Sequence, residues 1–141
     1  MFNEAVENPG AHTPADLYAA YEAMLVETVE SVGAETASVE SGVDEKTVRA
    51  LLAGEGPELT LEEGAALLAL DGEVSADDIV AVDRDALLMG MTTAVVDVDS
   101  LSAGIDGELS GREIQAKVEG RFPMTLREFA RIHQFLDERS R

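Results

Sequence analysis

A chain of 141 residues with 45% apolar side chains is long enough for one domain, or for two small units that share a core. Twenty-nine acids against ten bases give a net charge of −19, a surface that repels itself in dilute buffer and is screened in molar salt. The absence of cysteine excludes a disulfide, a thiolate nucleophile and a zinc–sulfur site.

Residues 1–12, MFNEAVENPGAH, lack the basic and apolar regions of a signal peptide and are expected to form a flexible tail. Thr13 is placed to cap a helix, Pro14 suits its first turn and Gly33 ends it. Leu17, Tyr21, Met24, Leu25, Thr28 and Val32 recur along it at helical spacing. Asp44 can cap a following helix, with Val43 and Val48 as a hydrophobic staple, and Thr60 with Glu63 reads as a capping box. These elements make a first unit over 13–72. The stretch SADDIVAV, capped by Ser75, is expected as a short helix or linker over 73–82. A second unit over 83–141 opens on DRDALLMGMTTAVVDVD, a shorter and more apolar counterpart of the first helix. TTAVVDV is rich in β-branched residues, but its place in the unit argues for helix. Ser110 with Glu113 and Thr125 with Glu128 are two more capping boxes, stapled by Leu109 with Ile114 and Met124 with Phe129.

The second unit repeats the first. At a shift of 66, Val43 meets Leu109, Val48 meets Ile114, Gly54 meets Gly120 and Pro57 meets Pro123. At a shift of 65, Thr60 meets Thr125, Leu61 meets Leu126, Glu63 meets Glu128 and Leu70 meets Phe135. Glycine, proline, caps and apolar phase recur together, which reads as an internal duplication. The expected fold is all-α: two tandem four-helix units packed as a pseudo-twofold single bundle.

The stretch ASVESGVDEKTVRALLAG resembles the helix-turn-helix of the lambda-repressor and Cro-like family. Gly42 matches its turn glycine, Val43 the apolar residue after it, and Val48 and Leu51 its core positions. EGRFPMTLREFARIHQFL resembles the helix downstream. The second unit departs from that pattern: Glu108 stands where the turn glycine belongs, Gly107 is one position early, and Lys117 occupies the site of Leu51. Its turn is expected to differ by one residue or to be distorted. ELTLEEGAALLAL and LLMGMTTAVVDVD are similar to a family of small acidic haloarchaeal proteins, a resemblance that implies no activity. Acid excess, scarce lysine and plentiful alanine and valine likewise resemble a salt-in halophile.

By the helix-turn-helix resemblance, Lys46 and Arg49 in the first unit and Arg112 and Gln115 in the second are the base-reading positions. Lys117 and Arg121 complete the candidate nucleic-acid surface. Residues 110–141 carry seven bases, Arg139 and Arg141 among them, against five acids, while the rest of the chain is strongly acidic. Counterion release, the usual source of DNA affinity, shrinks as salt rises. The bland alternative pairs these bases with neighbouring Glu. Double-stranded DNA, a protein partner and a second copy of the chain are the partners in view, and a transcription-regulator-like protein stands beside a protein-interaction module that keeps the fold without reading DNA.

No catalytic, cofactor or metal site is expected. Asp97, Asp99 and Glu108 match three positions of a calcium loop, but Leu101 and Ser102 stand where an oxygen ligand and the glycine are needed. His12 and His133 have no ligand spacing, and His133 is expected to be a half-buried helix residue. Met89 and Met91 are expected in the core. No apolar run approaches a membrane span, and a cytoplasmic location is expected.

Overall fold

The computed structural model describes residues 1–140, and Arg141, counted above among the bases, lies outside the described residues. Eight α-helices follow in order: α1 (Pro14–Val32), α2 (Ala34–Ser41), α3 (Glu45–Leu52), α4 (Leu61–Leu68), α5 (Ala76–Ala94), α6 (Val98–Gly104), α7 (Gly111–Val118) and α8 (Leu126–Arg139). Short 3-10 helices occupy Phe2–Glu4, Pro9–Ala11 and Ala69–Asp71, and no strand occurs among the described residues. The fold is all-α, with four helices before residue 72 and four after it.

The punctuation read from the sequence sets the helix starts. Thr13, Thr60, Ser110 and Thr125 each accept the backbone N–H three residues on, and the side chain there reaches back to the cap's own N–H. Each reciprocal pair satisfies two of the four donors that a helix start leaves open. Asp44 caps α3 by accepting from the Lys46 amide at 3.1 Å. Gly42, between α2 and α3, has φ +78°, the left-handed backbone that favours glycine.

The starts of α4 and α8 meet face to face. The Leu61 amide donates to the Met124 carbonyl at 2.7 Å, and the Leu126 amide donates to the Leu59 carbonyl at 2.8 Å. Thr60 and Thr125 sit opposite each other in this antiparallel bridge. The two bonds run in opposite directions between the same two segments. Around it, α1 packs on α8 and α5 packs on α4, with α1 also against α4 and α5 against α8. These four helices enclose the core, while α2 with α3 and α6 with α7 form the flanks.

Three expectations need correction. Residues 76–82, expected as a linker or short helix, are the first two turns of α5, which at 19 residues equals α1 in length. The turn before α7 differs by more than one residue. Ser38 Oγ donates to the Val43 carbonyl, five residues on, whereas Ser102 Oγ donates to the Leu109 carbonyl, seven residues on. The two added residues are accommodated by left-handed backbone at Asp106 and Gly107.

Thirdly, residues 1–12 are not a free tail. Phe2 is 1% exposed and meets Tyr21 edge-on, with ring centroids 5.3 Å apart. Tyr21 in turn faces Phe129 at 6.0 Å. Asp83 of α5 is wholly buried and accepts from the amides of Phe2 (3.2 Å) and Asn3 (3.0 Å). His133 stacks on Phe129, and its Nε2–H donates to the Asn3 carbonyl at 3.2 Å. The Gly10 amide donates to Asp137 Oδ2 at 2.7 Å.

At Gly10 the strap touches the backbone of α8. A Cβ there would lie 2.5 Å from the Glu138 nitrogen and 2.7 Å from its Cα. Gly10→Ala is therefore expected to lift residues 9–11 off α8 and to lower stability by about 1–3 kcal/mol, the range of an overpacked contact. Chemical denaturation in molar KCl measures it.

Candidate interaction surface

The base-reading surface expected from the sequence lies on the solvent side of α3 and α7. Lys46, Arg49, Arg112, Gln115 and Arg121 are exposed, and Lys117 is half-buried. α3 rests on α1 and α2, and α7 on α5 and α6, so each half carries its own candidate helix.

Most of these groups face an acid. Arg49 grips Glu45 one turn back, at 2.7 Å from Nε and 2.6 Å from Nη2. Gln115 and Arg121 converge on one carboxylate, that of Glu119, at 3.2 and 2.8 Å. Hydrogen bonds from those two side chains hold Glu119 below the usual carboxylate range. Lys117 donates to both oxygens of Glu128, at 2.6 and 2.8 Å, while Glu128 also closes the cap of α8. The position matched to buried Leu51 thus holds a lysine whose charge is answered inside the same half. Lys46 and Arg112 alone of the six have no side-chain partner among the described residues.

The neighbouring bases are engaged as well. Arg127 lies 4.0 Å over the Tyr18 ring, and Arg131 pairs with Asp106 and Glu108. Exposed pairs of this kind are each worth under about 1 kcal/mol. Their effect is on the local field: an acid beside a base cancels the potential that would draw in phosphate.

A second surface was not expected. Met91 packs on the core, but Met89 is 69% exposed, which corrects its placing in the core. Leu88 (45%) and Val95 (89%) are exposed beside it. Leu88, Met91, Thr92, Val95, Val96 and Asp97 line an open groove of about 570 Å³. The orientation of α5 follows from its other side, where Gly90 sits against Leu136 of α8; a Cβ there would lie 3.2 Å from Leu136 Cδ1. Val95 caps the helix with φ +56° and ψ +52°. Left-handed backbone costs an L-residue about 1–2 kcal/mol, and valine, being β-branched, suits it poorly. A sequence signal for this face did exist. Ala86–Val96 is an eleven-residue run without charge, the longest in the chain.

Phe122, 62% exposed, forms a smaller apolar spot beside Arg112 and Ala116. Asp97 caps α6 by accepting from the Ser100 amide at 2.8 Å. No group of three or more His, Asp or Glu side chains placed to hold a metal ion occurs among the described residues. His133 is half-buried, and burial lowers its pKa. No helix among them is long and apolar enough to cross a membrane.

No curated protein and no solved structure matches the chain. A family model, described as a family of unknown function (DUF5791), matches residues 17–139, which take in all eight helices apart from the first turn of α1. The chain therefore belongs to the DUF5791 family.

Proposed function

We propose that the protein is a protein-interaction module, built from two helix-turn-helix-like units, in which base reading has given way to packing. The observation that carries this reading is the pairing of Arg49, Gln115, Lys117 and Arg121 with Glu45, Glu119 and Glu128 on or beside the helices that would enter a groove. A net charge of −19 adds a long-range field that opposes nucleic acid. The exposed, uncharged end of α5 supplies a surface on which a partner can bury apolar area. On this reading the protein has no catalytic role and works in the cytoplasm of a salt-in halophile.

A second reading, a DNA-associated regulator of a halophilic archaeon, is favoured by one observation. Arg112 and Lys46, each the second residue of its helix, are exposed and unpaired among the described residues, where side chains of a reading helix first meet base edges. The two readings separate in one experiment: retention of the protein on genomic DNA fragments in molar KCl, with Arg112→Ala beside wild type. Neither is expected to be retained. Retention of wild type with loss in Arg112→Ala would overturn the module reading in favour of the regulator.

A further inference from the structure

We propose that the seat beneath residues 1–12 is a peptide-docking site, held by the chain's own strap and open in trans to a partner segment with an aromatic anchor. This rests on the interaction-module reading and names its surface and the chemistry of its partner.

The strap shows what the seat accepts. Phe2 is its one wholly buried side chain, set against Tyr21 of α1 and Gly64 of α4. Beyond that ring the seat grips main-chain atoms. Asp83 of α5 accepts from two successive amides, those of Phe2 and Asn3. His133 of α8 donates to the Asn3 carbonyl, and Asp137 accepts from the Gly10 amide. Main-chain atoms are common to every peptide, so they give such a site affinity, and pockets for particular side chains give it specificity. Two positions here are selective. One takes an aromatic ring. The other, eight residues on, lies so close to the Glu138 backbone that it suits only glycine.

The strap is an imperfect occupant of this seat. Asn3 Oδ1 is enclosed without a hydrogen-bond partner among the described residues, and the Tyr21 hydroxyl is enclosed without one as well. A buried polar atom left unmet opposes the closed state. A segment with a small apolar residue in place of Asn3 avoids the first of these costs and keeps both amides for Asp83. The tether compensates the strap for its poorer fit, because it holds the segment at an effective concentration on the order of millimolar. A free partner then displaces it only by fitting better, which the orphaned Asn3 oxygen leaves room to do. The family match takes in Tyr21, Gly64, Asp83, His133 and Asp137 and begins after the strap, so the seat does not presuppose this one occupant.

The test is a titration in molar KCl, read by fluorescence anisotropy. A synthetic peptide of residues 1–12, labelled at its C-terminus, is added to the full chain carrying Phe2→Ala, which frees the aromatic position. Circular dichroism verifies the fold, and the milder Phe2→Leu chain is titrated beside it. Saturable binding is expected, about tenfold or more weaker to wild type, whose own strap competes. The peptide carrying Phe2→Ala should bind about tenfold or more weakly, and the peptide carrying Asn3→Ala about fivefold more tightly. Amide resonances of Gly64, Asp83 and His133 should shift on binding. In the chain itself, Asn3→Ala should raise the melting temperature. No saturable binding to a folded variant overturns the proposal. So do indifference to Phe2→Ala in the peptide, resonance shifts confined to other surfaces, and a lower melting temperature for Asn3→Ala. None of these results touches the module reading, which the DNA-retention experiment decides on its own.

Discussion

Phe2→Ala should lower the melting temperature by about 10 °C, measured by thermal unfolding in molar KCl. The residue lies in a segment that composition marks as a tail, yet it is among the largest wholly enclosed side chains in the molecule. Its ring fills the space above Tyr21 and beside Gly64, where an added Cβ would lie 3.1 Å from the Phe2 ring. Truncating a buried phenylalanine costs about 3–5 kcal/mol, the transfer term plus the cavity left behind. For a chain of this length each kcal/mol shifts the midpoint by roughly 2–4 °C. The cavity cannot close cheaply, because Tyr21, Gly64 and Phe129 are held by three different helices, α1, α4 and α8. A freely moving N-terminus predicts no change at all, so a shift of under a degree or two would mean that Phe2 spends little time in this seat.

Why the strap is needed follows from an asymmetry between the halves. Tyr21 and Asp83 are each the eighth residue after a helix cap, Thr13 for α1 and Ser75 for α5. Where α1 buries a large ring, α5 buries a small carboxyl group. The strap completes the smaller position: the Phe2 ring packs against Tyr21, and the Phe2 and Asn3 amides donate to the Asp83 carboxyl group. The family match begins at residue 17, after the strap, although Asp83, which the strap satisfies, lies within it.

The parts of this arrangement that sequence reasoning reached are those governed by local rules. Thr60-x-x-Glu63 and Thr125-x-x-Glu128 stand for two hydrogen bonds within one turn, and their equivalence placed them correctly at matching helix starts. Glu45 and Arg49 are four apart on a helix, so their pairing was also open to prediction. Glu128 beneath Lys117 and Arg131 between Asp106 and Glu108 were not, since those contacts span loops. SADDIVAV has two acids and two alanines, so it gives little apolar periodicity and reads as a linker or short helix rather than as the start of a 19-residue one. Its helix is carried by the Ser75 cap and by burial of Ile79, Asp83 and Leu87. An apolar run does not say which of its residues face inward, so Met89 and Met91 look alike in the sequence; only the seating of Gly90 on Leu136 separates them. Phe2 gives no signal for a simpler reason: one aromatic residue in a polar segment has no period.

Asp83→Leu should destabilise the protein by about 2–5 kcal/mol even though it replaces a buried charge-bearing group with an apolar one. The substitution leaves two amides, those of Phe2 and Asn3, without their acceptor, and each orphaned buried donor costs about 1–3 kcal/mol. Asp83→Asn retains an acceptor oxygen and is the milder change. Burial pushes the Asp83 carboxyl above the usual range, and the two amides only partly oppose it. The unfolded chain therefore ionises this group first, and its contribution to stability falls as pH rises from about 3.9 through the raised folded value, then levels off. In Asp83→Asn that slope vanishes, so its stability relative to wild type should improve across the same window. Wild type and Asp83→Asn running parallel through that window would mean the carboxyl is not desolvated. The decisive measurement is the double variant. If Asp83 acts by seating the strap, then once Phe2→Ala has freed the strap little remains for Asp83→Leu to disrupt. The two costs should then fall short of additivity by about 1–3 kcal/mol, the coupling of residues in direct contact. Strict additivity would instead place the role of Asp83 within the bundle, toward Tyr21, whose hydroxyl is buried without a hydrogen-bond partner among the described residues and is pushed up by burial first and the Asp83 charge second.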